Sequence, residues 1–177
     1  MVNTATAVFG GGCFWCTEAI FKRVKGVRKV EPGYAGGHVV NPSYKMVCTG
    51  TTGHAEVVRI EYDPIIVTFS GLLEIFWHAH DPTTLNRQGN DVGTQYRSII
   101  FCQNDEQKKI TETSIKNANA SNMFKKPIVT TIEKLDVLYP AEDYHSDYFA
   151  NNPDQPYCRA VIAPKVQHFM EEYHEDK

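Results

Sequence analysis

Thr4-Ala5-Thr6-Ala7-Val8-Phe9-Gly10-Gly11-Gly12-Cys13-Phe14-Trp15-Cys16, residues 4–16, sets the reading of the whole chain. Thr4–Phe9 is short, apolar and partly β-branched, as a buried strand should be. From Thr17 to Val24 the apolar spacing turns helical, with Cys16, Ile20 and Val24 on one face. Three glycines between the two patterns predict a tight turn that delivers Cys13 to the first turn of a helix. Unsatisfied backbone N–H groups and the positive end of the helix dipole favour a thiolate there. Phe14 and Trp15 would give that sulfur an apolar surface. The plain alternative is a small buried hydrophobe, the usual fate of free cysteine; the glycine turn and helix start favour a nucleophile.

Working outward, Val27–Val30 reads as a strand broken by Pro32-Gly33-Tyr34-Ala35-Gly36-Gly37. A loop of turn formers runs from Asn41 to His54. Ala55–Tyr62 alternates as a strand, and Ser70–His80 is an apolar helix stopped by Asp81-Pro82. Thr83–Gly93 is polar and irregular, and Arg97–Cys102 is a further strand. Asn104 with Gln107 resembles a capping box that opens a helix to about Ala120. Pro127–Leu135 alternates as a strand. One helix is expected after Pro140, with Glu142 and Asp143 in its first turn, and a last short one after Pro164. Several strand pairs have no helix between them. The expected fold is therefore α+β: a two-layer sandwich with a mixed, ferredoxin-like (split βαβ) sheet, flanking helices and a long irregular C-terminal segment. With 177 residues, 42% hydrophobic, and no linker, repeat or low-complexity tract, one domain over residues 1–177 is expected.

A net charge of -3 gives no reason to expect nucleic acid or an anionic membrane as partner. No apolar run approaches the roughly 20 residues of a membrane span, and the N-terminus lacks a signal-peptide pattern. Five cysteines, an odd number spread over the chain, argue against a secreted disulfide scaffold and for the reducing cytoplasm.

Cys13 and Cys16 form a C-x-x-C pair, which allows two other readings. One is a thiol–disulfide oxidoreductase using the pair directly. The other is half of a zinc site, for which no second cysteine pair exists and for which His78 and His80 point apart at a helix end. Glu56 shares the apolar strand face of Val58, Ile60 and Tyr62, so it should lose hydration, stay neutral near pH 7 and serve as a general acid. Tyr44 and Tyr96 are candidate hydroxyl donors at loops, although packed tyrosines are commoner. Asp91 is by default a turn former. Cys158 follows a proline-rich break and could reach a distant site if its segment is mobile. Cys48 and Cys102 are assigned no redox role.

Together these segments resemble the peptide methionine sulfoxide reductases of the A type. The landmarks are Gly12-Cys13-Phe14-Trp15-Cys16, Gly33-Tyr34-Ala35-Gly36-Gly37, Asn41-Pro42-Ser43-Tyr44, Thr52-Gly53-His54-Ala55-Glu56, His80-Asp81-Pro82-Thr83-Thr84 and Gln88–Ser98. The resemblance covers nearly the whole chain. It implies that Cys13 attacks the sulfoxide sulfur while Glu56, helped by Tyr44 and Tyr96, protonates the oxygen. Asp91 is then a substrate-binding residue, and Phe14 with Trp15 form the pocket for the substrate methyl. A methyl placed among buried oxygen donors would leave them unpaired at about 1–3 kcal/mol each, which gives a physical basis for acting on the S epimer alone. The sulfenic acid on Cys13 would condense with a second thiol and be regenerated by a thioredoxin-like donor, with no metal or organic cofactor. Many relatives have glycine at the position of Cys16, so Cys158 is favoured as the resolving thiol, with Cys16 as the alternative. The implied substrates are oxidised proteins or peptides, and a monomer is expected.

Overall fold

In the computed structural model, which describes residues 3–175, the opening pattern becomes strand β1 (Ala5–Gly11) followed by helix α1 (Phe14–Phe21). The ends of the expected domain, residues 1–2 and 176–177, lie outside the described residues. Strands β2 (Val27–Ala35) and β3 (Ala55–Tyr62) complete an antiparallel core. Strand β3 lies between β1 and β2, so the β1–α1–β2 connection skips one place in the sheet. Strand β6 (Ser98–Cys102) adds to the other side of β1, β7 (Thr131–Lys134) pairs parallel to β6, and β8 (Leu138–Pro140) lies against β2. The result is a mixed six-stranded sheet in the order β7-β6-β1-β3-β2-β8. A separate hairpin is made by β4 (Arg87–Gln88) and β5 (Asp91–Val92).

One face of this sheet packs Phe9, Val58 and Ile60 against Ile20 and Phe21 of α1 and Leu72, Leu73 and Phe76 of α3 (Phe69–Ala79). Val8, Val57, Ile99 and Phe101 line the opposite face under Leu135 and Leu138. The period-two alternation of β3 is thus real on both sides, and Glu56 lies on the helix-covered one. Helix α4 (Asp105–Ala120) opens at Asn104, whose side chain accepts from the Gln107 N–H at 2.8 Å. Among the described residues no helix is long and apolar enough to cross a membrane.

Four expectations are corrected. Strand β2 continues through Pro32 and Gly33 to Ala35. The Pro32 carbonyl accepts from Ala141 N–H, so its peptide edge faces away from β3 and the missing N–H costs no bond to that strand. The Asn41–His54 loop contains a short helix, α2 (Tyr44–Cys48), capped by Ser43. After Pro140 there is only a 3-10 turn (Asp143–His145) and the four-residue α5 (Tyr148–Asn151). The last helix, α6 (Ala163–Glu175), is 13 residues long, starts before Pro164, and is continuous with a π-helical turn at Cys158–Ile162.

Gly12 makes the turn between β1 and α1 possible. Its φ is +95°, and a Cβ there would lie 2.7 Å from Gln88 Cγ. The Gln88 side chain bonds Asp81 N and Asp81 O, both at 2.9 Å, so it has little freedom to retreat. Gly12→Ala should therefore lower the free energy of unfolding by at least about 1 kcal/mol, measured by chemical denaturation. An unchanged midpoint would show that the turn tolerates a side chain.

Candidate active site

The site gathers where the end of β1 meets the start of β3. Phe9 pairs with Val58, and continuing that antiparallel register two residues sets Glu56 across from Gly11, beside Gly12 and Cys13. On its other side Glu56 pairs with Tyr34 of β2. Cys13 is the N-cap of α1, 7% exposed, and Glu56 is 1% exposed. The Phe14 N–H donates to Glu56 Oε1 at 3.2 Å, while Glu56 Oε2 is buried with no hydrogen-bond partner among the described residues. Burial pushes the Glu56 carboxyl up to about 8, the Phe14 bond opposes this, and Asp91 and Cys16 add to the rise. At neutral pH it is a neutral acid whose second oxygen has nothing to bond.

Burial also pushes the Cys13 thiol well up, helped by the hydrogen bond it gives to Cys16 and by Glu56; the Trp15 N–H pulls the other way. This corrects the expectation of a resting thiolate. The first N–H of α1 is spent on Glu56, and loss of hydration outweighs what remains of the helix terminus. Cys16 moves in the opposite direction because it accepts from Cys13, with Lys165 and Tyr157 assisting against burial. Of the two thiols, Cys16 is therefore the easier to ionise.

The other expected residues surround this pair. Tyr44, at the start of α2, and Tyr96, in the 3-10 turn Thr94–Tyr96, are half-buried. Burial raises both phenols, with Glu56 and Cys13 adding to each, and the Tyr44 hydroxyl is also hydrogen-bonded to Cys48. Asp91, at the start of β5, accepts from the Tyr157 hydroxyl at 2.6 Å. Phe14 is buried against Tyr34, Tyr44 and His145, and Trp15 is half-buried. Cys158 is fully buried in the π-helical turn, and Cys16 is the thiol whose charge acts on it. The histidines weighed for zinc are otherwise engaged. The His80 nitrogens bond Phe76 O and Ser98 Oγ, both at 2.7 Å, and His78 faces Glu172 at 3.6 Å.

The model of the family described as "Peptide methionine sulfoxide reductase" matches residues 5–177. The chain belongs to the peptide methionine sulfoxide reductase family. The relative MsrA of Saccharolobus solfataricus is 58% identical over 164 residues, 93% of this chain and 92% of its own length. The crystal structure of reduced Mxr1 from Saccharomyces cerevisiae superposes with a TM-score of 0.82 at 34% identity, covering 88% of this chain and 89% of that one. The same yeast protein in complex with Trx2 superposes at 0.58 and 22% identity, over 82% and 84% of the two chains. As a member of this family the chain is an oxidoreductase that reduces methionine sulfoxide.

This reductase also has site residues that the sequence reading passed over. The Trp15 indole N–H donates to His145 Nδ1 at 2.9 Å, and the Tyr148 ring stacks on Trp15 at 3.8 Å and 8°. Tyr157 lies between Asp91 and Cys16, its oxygen 4.0 Å from the Cys16 sulfur. All come from the stretch expected to be a helix and an irregular tail. The density of tyrosine, histidine and carboxylate in Glu142–Tyr148 was the available signal.

Proposed function

We propose that Cys13 is the nucleophile of this methionine sulfoxide reductase, Glu56 its acid, and Cys16 the thiol that resolves the product. The observation that carries the reading is the unpartnered oxygen of a buried, neutral Glu56 beside the Cys13 turn. A buried acid left without an acceptor is costly unless a substrate oxygen completes it.

In this reading the substrate methyl packs on Phe14 and Trp15, and Asp91 holds the substrate alongside. The sulfoxide oxygen points to Glu56 and the Tyr44 and Tyr96 hydroxyls, an arrangement that accepts the S epimer. Cys13 passes its proton to Cys16 and attacks the sulfoxide sulfur while Glu56 protonates the oxygen. The two electrons that convert sulfoxide to methionine come from the Cys13 sulfur, which leaves as a sulfenic acid carrying the oxygen. The Cys16 thiol then condenses with it, releasing water and forming the Cys13–Cys16 disulfide. A thioredoxin-like dithiol reduces that bond by exchange; the yeast relative solved with Trx2 supports this class of donor.

Assigning resolution to Cys16 reverses the preference for Cys158. That preference assumed a mobile tail, whereas Cys158 must leave a packed helical segment to reach Cys13, and Cys16 already touches it. Cys16→Ser should still form one methionine per enzyme but stop cycling with thioredoxin, and Cys158→Ser should keep cycling. Mass mapping after one turnover checks this directly. A Cys13–Cys158 bridge as the first disulfide would return the role to Cys158.

The β6-β1-β3-β2 order, with β3 inside the β1–α1–β2 connection, supports reading the core as a two-layer, ferredoxin-like split βαβ unit in one domain. A reducing cytoplasm fits the five free cysteines, and a monomer is the proposed state.

A further inference from the structure

Glu142 directly follows β8 and Ala141, and both of its carboxylate oxygens are engaged. Oε1 accepts from the Tyr34 hydroxyl at 2.9 Å, tying the segment to β2. Oε2 accepts from the Tyr44 backbone N–H at 2.9 Å, the first N–H of α2. Ser43, which caps that short helix, spends its side chain on Met46 N instead, so the Tyr44 N–H depends on Glu142. Three residues on, His145 is fully buried, its ring 4.5 Å from the Tyr44 ring and 4.9 Å from that of Phe14, while it accepts the Trp15 indole N–H. Residues 142–148 thus form a strap that fixes Tyr44 at one end and Trp15 at the other.

We infer that Glu142 is a positioning residue for the reduction, setting the backbone from which Tyr44 reaches the sulfoxide oxygen. The inference rests on the reading of Tyr44 as an oxygen donor. Its chemistry suits the task. Burial alone would raise the Glu142 carboxyl, but the Tyr44 N–H, its own N–H and the Tyr34 hydroxyl together hold it below the ordinary range. It therefore stays a carboxylate, able to accept from both partners across the working pH range. A tyrosine on a five-residue helix has little else to hold its backbone, and small displacements of a reacting group are expensive in rate.

The test is a double-mutant cycle on the single-turnover rate of methionine formation at saturating sulfoxide peptide, with folding checked by near-UV circular dichroism. Glu142→Ala should slow the step by about 10- to 100-fold. In a Tyr44→Phe background the same substitution should change the rate by less than about twofold, because the group it positions is already gone. Glu142→Gln should recover most of the rate, since its amide oxygen still takes the Tyr44 N–H while the Tyr34 hydroxyl turns to accept. If Glu142→Ala fails to fold, Glu142→Asp, too short to reach both partners, runs the same cycle. Equal losses in both backgrounds, or an unslowed single variant, overturn the inference and leave the Tyr44 reading standing. A Tyr44→Phe enzyme at the wild-type rate overturns both.

Discussion

Cys13→Ser should abolish methionine formation even when one equivalent of reduced enzyme meets one equivalent of sulfoxide peptide. The loss is total because the residue supplies electrons as well as a nucleophile. Reducing a sulfoxide takes two electrons, and in the proposed mechanism the Cys13 sulfur gives them by becoming a sulfenic acid. A serine oxygen has no corresponding oxidation state to enter. The hydroxyl fits the space of the thiol at a site only 7% exposed, and replacing a weak donor with a stronger one there costs on the order of 1 kcal/mol, too little to unfold a domain. The measurement is chromatographic counting of methionine peptide per enzyme, alongside a denaturation midpoint showing that the variant is folded. One methionine per enzyme would move the nucleophile to another thiol, with Cys16 the nearest candidate.

The second large effect is that of Glu56→Gln, which should slow the single-turnover step by about 10²–10⁴-fold, the usual worth of a placed proton donor. Glutamine keeps the acceptor for the Phe14 N–H and can donate a hydrogen bond, but it cannot release the proton that the departing oxygen needs. The pH dependence carries the same signature. Glu56 is raised to about 8, so the acid form is present at neutral pH and is lost as pH climbs through that value. The wild-type rate should therefore fall on the alkaline side of about 8, and the glutamine variant should lack that limb. Both enzymes should share whatever pH dependence the Cys13–Cys16 pair sets, because the Cys13 proton must leave before attack. A glutamine variant with a near-normal rate would assign the proton to another group.

Stability should fall with rising pH as well, beginning at lower pH than the rate. Glu56 is raised from an ordinary carboxyl near 4.5 to about 8 in the folded protein. Its stabilising contribution is fully present below the unfolded value and is lost as pH rises through the folded one. From pH 5 to 8 that loss is about 3 kcal/mol for one such group. Glu56→Gln should remove this component, so unfolding free energy measured at the two pH values should diverge less than in the wild type. The native protein gives up stability to keep an acid uncharged beside its nucleophile.

The site was legible where chemistry is carried by short, local patterns. Gly10-Gly11-Gly12-Cys13 can only turn a strand into a helix, and alternation in β3 puts Glu56 on the covered face without any knowledge of what covers it. The register that sets Glu56 beside Gly11 is a consequence of those two patterns. By contrast, the ionisation of Cys13 was misread from sequence, because helix position is local but hydration depends on everything that packs around the sulfur. Pro32 misled for a similar reason: whether a proline breaks a strand depends on which neighbour its missing N–H would have faced.

The strap at 142–148 lay further out of reach. Its acidic and aromatic residues satisfy the rules for a helix start, and nothing in their spacing says that Glu142 bonds Tyr34 and Tyr44, 108 and 98 residues earlier. Cys158 presents the same difficulty, since a proline-rich approach suggests a free tail until α6 and α1 are seen to enclose it.

Sequence alone put a thiol at the turn from β1 to α1 and a carboxyl on the covered face of β3, and pointed to the family to which the chain belongs. These follow from backbone sterics and periodicity, which act over a few residues. Only the packed structure decided which thiol lies against Cys13, which of the two ionises more easily, and which carboxylate accepts the Tyr44 N–H. Desolvation and long-range hydrogen bonds are properties of the assembled interior, and no stretch of chain contains them by itself.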